Sequence, residues 1–143
     1  MEIVVNHLTR ISGDRICVAG IDPETGRHIR PVPSAEGPRL TRNLMSSNGG
    51  PIRIGSLIDL GTTRPAPNPP HVEDHLVDFA KVTRLRQLEW DEYTNLLESV
   101  RVDSLTDAFG VAPRRIGNSS LALTPGEGSG SLAVLRLISA QVE

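Results

Sequence analysis

Residues 15–32, RICVAGIDPETGRHIRPV, leave little choice of local structure. Ile16 to Ile21 is a short apolar run, Asp22-Pro23-Glu24-Thr25-Gly26 is a turn, and Arg27 to Val32 alternates polar with apolar. Pro23 presets φ at a turn position and Gly26 accepts a positive φ, so the segment reads as a β-hairpin with a defined turn chemistry. It is also the most basic local stretch, carrying Arg15, Arg27 and Arg30.

The chain around this hairpin holds 143 residues, enough for a single domain with its own core. Charged residues at 22% and hydrophobic ones at 38% describe an ordinary soluble globular protein and not a disordered chain. No apolar run approaches the roughly 20 residues of a membrane span. The start, MEIVVNHLTR, lacks a basic stretch followed by a long apolar one, so no signal peptide is expected and the cytoplasm is the default compartment. One cysteine, Cys17, excludes an internal disulfide and a cysteine-built zinc site. The net charge of −2 hides an asymmetry: residues 1–70 carry eight arginines against six acids, and the remainder carries seven bases against eleven acids. Lys81 is the only lysine, and arginine suits bidentate contact with phosphate or carboxylate.

Glu2 to Ile11 reads as a first strand that pairs with the hairpin, giving a three-stranded meander by residue 32. Leu40, Leu44 and Met45 predict a short helix over 39–48, stopped by Gly49-Gly50. Residues 51–63 read as a strand with a bend at Gly55. Residues 64–70, with four prolines, predict an extended surface connector, and residues 71–79 an edge strand. Residues 81–88 fit a strand or a helix entry. Trp90, Tyr93, Leu97 and Val100 share one face of a helix over 89–100, with Trp90 and Tyr93 assigned to the core. Ser104 caps a short helix closed by Gly110. Residues 114–120 read as a polar loop, 121–123 as a short strand, 124–130 as a turn and 131–142 as a closing strand. The inventory predicts a mainly β fold with helices: a partly open, OB-like β-barrel over about 1–88, and a helical and closing-strand part over about 89–143, in one compact domain.

Several ordered motifs carry a resemblance. Leu8-Thr9-Arg10, Cys17 to Asp22 with Thr25-Gly26, Ile29 to Val32, Gly49 to Pro51 with Ile54-Gly55, Asp59 to Gly61 and Pro69 to Asp74 together resemble a bacterial family named for a dual OB-containing domain. The resemblance runs from about residue 3 to 135. It implies two OB-like barrels and a role in binding nucleic acid or another ligand, and brings no catalytic residues with it. A complete second barrel is not expected before Glu143.

Binding candidates come first from the meander. Arg10, Arg27 and Arg30, with Thr9 beside them, are placed to contact phosphate or a single-stranded backbone. A solvated strand face, or ion pairs with Asp22 and Glu24, is the plainer account. Aromatic residues for base stacking are scarce: Phe79, Trp90, Tyr93 and Phe109 all lie outside the meander. The segment His71-Val72-Glu73-Asp74-His75 forms a second polar cluster. On a strand, His71, Glu73 and His75 would share one face, a spacing compatible with a divalent metal or an acid–base pair. Cys17 reads as a small buried hydrophobe. No phosphate loop, dinucleotide motif or catalytic triad is present, and no cofactor is expected. The leading expectation is a non-enzymatic module for nucleic acid or a nucleotide-like anion, monomeric or homodimeric. The alternatives are a protein-interaction or regulatory module of a larger bacterial system, and a small metal-dependent hydrolase or nuclease built on residues 71–75.

Overall fold

The computed structural model describes residues 1–136 apart from 36 and 119. The strands are β1 (Glu2–Arg10), β2 (Ile16–Ile21), β3 (His28–Pro33), β4 (Ser56–Asp59), β5 (Arg64–Pro65), β6 (Asp74–Val77), β7 (Thr83–Gln87), β8 (Arg101–Val102), β9 (Arg114–Ile116), β10 (Ser120–Ala122) and β11 (Val134–Leu135). The helices are α1 (Trp90–Ser99) and α2 (Leu105–Phe109). None of them is long and apolar enough to cross a membrane.

The predicted meander forms: β1 pairs antiparallel with β2, and β2 with β3. Its turn is built as its residues dictate. The Asp22 carboxylate accepts from the Glu24 amide at 2.9 Å and the Thr25 hydroxyl at 2.8 Å, and Gly26 adopts φ +70°. Burial works to raise the Asp22 pKa, but these bonds outweigh it and hold the carboxyl below its usual range.

Seven strands make one mixed sheet in the order β5-β6-β3-β2-β1-β4-β7. In a flat sheet β6 and β7 would stand about 24 Å apart, five spacings of about 4.8 Å. Only residues 78–82 join them, and six Cα steps reach at most about 21 Å. The Lys81 amide also bonds back to the Asp78 carbonyl, which shortens the reach. The sheet therefore curls, and one core gathers residues from both of its sides: Ile3, Val5, Ile16, Val18, Ile58, Val77, Phe79 and Val82. β5 and β7 remain edges, so this is the partly open, OB-like barrel that the strand inventory predicts. Val4, on the opposite face of β1, packs with Leu88 and Tyr93 beneath α1. That second burial explains why Ile3-Val4-Val5 is a run and not an alternation.

Several local expectations are corrected. Residues 39–48 hold two 3₁₀ turns, Arg42–Leu44 and Ser46–Asn48, in place of a helix. The strand expected over 51–63 shrinks to β4, because Gly55 turns the chain at φ +75° just before it. Part of the proline connector, Arg64–Pro65, pairs with β6, so β6 is not the edge. Residues 83–87 settle as strand. The polar loop over 114–120 is instead a hairpin of β9 and β10. Trp90 is 73% exposed although Tyr93 is buried: α1 starts beyond the sheet it covers. The closing strand is β11, parallel to β8, and its expected continuation over 137–142 lies outside the described residues.

Candidate functional site

The hairpin opens where its sequence removes donors. β2 and β3 pair only at Gly20 with Ile29 and Ile21 with His28. Along β3 the amides of Arg30 and Ser34 donate to Glu73 and Val77, on the β6 side, at 2.8 and 3.1 Å. Alternation then turns residues 31 and 33 toward β2, and both are prolines without an N–H. The Ile16 amide, facing the same gap, bonds instead to the Leu40 carbonyl at 3.1 Å. The strands part, and the loop after β3 closes only the end. The resulting groove encloses about 620 Å³. Ile16, Cys17, Pro31, Val32 and Leu40 give it apolar walls, and Arg15, Arg30 and Arg39 line it. The described lining residues include no Asp or Glu.

Each arginine is placed by different means. Arg15 donates to the Ser12 hydroxyl at 2.8 Å. Arg30 lies opposite Asp74 in the parallel β3–β6 register and donates through Nε to its carboxylate at 2.6 Å. Both partners are mostly shielded, at 18% and 16% exposure, and the bond to Asp74 raises the Arg30 pKa and keeps the guanidinium charged. One of its five N–H donors is thereby committed. Arg39 is exposed at the groove's loop end.

The expected arginine cluster is divided. Thr9 and Arg10 end β1 opposite Cys17 and Ile16, beside the groove, and both are exposed. Arg27 sits in the turn at the other end of β2, about 20 Å from Arg10 for a six-residue strand but only three residues from Arg30, and it is not among the described lining residues. The ion pairs expected with Asp22 or Glu24 give way to Arg30 with Asp74.

Residues 71–75 do not converge on one face. His71 is exposed in a tight turn, exchanging backbone bonds with Asn68. The Glu73 carboxylate is buried and accepts from the Ser131 amide, the Ser131 hydroxyl at 2.9 Å and the Leu132 amide at 3.0 Å. Asp74 holds Arg30, and the His75 ring bonds the Glu73 carbonyl at 3.0 Å. Among the described residues no group of three His, Cys, Asp or Glu side chains is placed to hold a metal. The metal geometry expected of His71, Glu73 and His75 is therefore corrected: β6 begins only at Asp74, and the acids are bound elsewhere in the fold.

A family model described as the dual OB-containing domain matches residues 1–142. The chain belongs to the dual OB-containing domain family. No curated protein and no solved structure matches it. In this dual OB-containing chain the described strands make one seven-stranded sheet and two two-stranded ones. Site reasoning from sequence missed Arg15 and Arg39 as groove residues. The available signal was the spacing of Pro31 and Pro33, two lost donors on one edge of one strand.

Proposed function

We propose that this protein is a binding module that holds single-stranded nucleic acid, or a nucleotide-like anion, in the groove between β2 and β3. One observation carries the reading: Arg15, Arg30 and Arg39 line a single apolar-walled groove, Arg30 with one of its donors held by Asp74 and the others left over. Guanidinium groups are suited to phosphate, and apolar walls accept sugar and base faces. Thr9 and Arg10 flank the groove and extend the contact along β1. The described lining contains no aromatic ring, so backbone contact outweighs base stacking, and recognition is largely independent of sequence.

Fluorescence anisotropy of a labelled single strand tests this. Three arginine–phosphate contacts predict a slope of log K against log salt of about −2, a roughly twentyfold loss of affinity between 50 and 200 mM salt. Arg15→Ala/Arg39→Ala flattens the slope by about 1.4, whereas Arg27→Ala at the far turn leaves it unchanged. Affinity that ignores salt, or that falls equally with Arg27→Ala, contradicts the reading. Absence of binding at low salt would favour a protein-interaction module instead.

A further inference from the structure

A second cavity lies between α1, β1 and the start of β3, with a volume of about 240 Å³. We propose that it is a pocket for one neutral, planar heterocycle of nucleobase type, recognised by Asn6 and His28. The proposal goes beyond the groove and stands on separate residues.

The backbone aims the first of them. Val5 pairs with Gly20 and His7 with Ala19, so Asn6 is the extra residue of a β-bulge. Bulges re-aim side chains and gather beside binding sites. The carboxamide oxygen of Asn6 is buried without a hydrogen-bond partner among the described residues, and so is Nδ1 of His28. Both residues line this one cavity. Two unsatisfied polar atoms on residues that line one cavity are unusual, because buried polar groups are almost always paired; both atoms are covered in this structure, so a ligand meets them only once the Asn6 and His28 side chains turn toward the cavity.

The rest of the lining defines the ligand. Tyr93, Leu97, Leu132 and Val134 supply an aromatic and apolar surround, His7 adds a second imidazole, and the described lining has no Asp, Glu, Lys or Arg. Burial also lowers the His28 pKa, against the pull of the Glu73 charge, which favours a neutral ring. A charged ligand would meet no counter-charge there. The volume is below the roughly 300–1,000 Å³ of sites for drug-sized ligands, so a single heterocycle suits it. A nucleobase edge offers adjacent donor and acceptor atoms, the complement of a carboxamide oxygen and an imidazole nitrogen. The same edge can come from a free nucleoside or from a base of a strand held in the groove.

Nitrogen-15 NMR of the full chain separates these cases. Adenosine, guanosine, cytidine and uridine are titrated in turn while the His28 ring nitrogens and the Asn6 side-chain amide are followed. The proposal predicts saturable shifts at both residues with at least one base, offered as a free nucleoside or within a single-stranded oligonucleotide. Asn6→Leu weakens that ligand by about tenfold, the equivalent of about 1.4 kcal/mol. Persistence of the nucleoside response in Arg15→Ala/Arg39→Ala marks a pocket independent of the groove. A response only to an oligonucleotide, lost in that double variant but returning at lower salt, marks a base delivered by the strand. If neither residue responds to any nucleoside or oligonucleotide, or if Asn6→Leu binds as tightly as the wild type, the cavity is merely hydrated and the proposal fails. If Asn6→Leu does not fold, the wild-type titration still decides.

Discussion

Glu73→Ala is expected to lower the unfolding free energy by about 3 kcal/mol, since bonds to a buried charged acceptor contribute about 1.5–3 kcal/mol each and do not add fully. Glu73 is 7% exposed, and its carboxylate takes three donors from Ser131 and Leu132, 58 and 59 residues away in sequence. Truncation leaves two backbone amides and a hydroxyl in a space that has little room to relax. A Cβ at neighbouring Gly130 would already stand 2.8 Å from the Ala108 carbonyl oxygen and 3.4 Å from Glu73. Glu73→Gln keeps the shape and one good acceptor, and should cost about half as much. Urea unfolding gives the global value, and amide exchange at Ser131 and Leu132 gives the local one, with faster exchange expected there first. A loss below about 0.5 kcal/mol, the range of an ordinary surface substitution, would mean that Glu73 does not hold this segment to the sheet.

Gly20→Val is expected to cost a similar amount, about 3 kcal/mol, by overpacking. Gly20 pairs with Val5 in the middle of the meander, where β1 and β2 approach closely. A Cβ there would lie 2.7 Å from the Val4 carbonyl oxygen and 2.8 Å from Cδ1 of Ile3. The first of these is backbone, so a rotamer change cannot relieve it. The strands must separate, and with them the bulge that aims Asn6. Gly13→Ala is the matched control: it has open space around it, and its positive φ alone costs about 1 kcal/mol. Comparing the two by denaturant unfolding isolates the close approach, and equal losses would remove it as the cause.

What could be read from the sequence was local. The turn Asp22 to Gly26, the Ser104 cap and the amphipathic run of α1 all follow from contacts within a few residues. The structure builds each with the residues that signal it. Trp90 shows where local periodicity ends. The helical face is correctly ordered, but the sheet beneath reaches only Tyr93, Leu96 and Leu97, and nothing within α1 states how far the sheet extends. The site was less legible because its geometry is non-local. Arg30 and Asp74 are 44 residues apart and meet through a parallel register, whereas Asp22, the nearby acid, is engaged by its own turn. Proximity in sequence groups Glu73 with His71 and His75, but its partners Ser131 and Leu132 lie far along the chain. The opening of the groove needed two facts together: prolines at alternate positions, and the side of β3 on which they fall.

The central claim is that a polyanion occupies the groove between β2 and β3, and Cys17 allows it to be tested in place. It is the only cysteine in the chain, it is free and half-buried, and it lines the groove. The measurement is the rate of Cys17 alkylation by iodoacetamide, with and without a saturating single-stranded oligonucleotide. At low salt the account predicts several-fold protection, which is lost at high salt as the strand dissociates and is absent in Arg15→Ala/Arg39→Ala. An oligonucleotide that binds tightly yet leaves the alkylation rate unchanged would place the binding surface elsewhere and contradict the account.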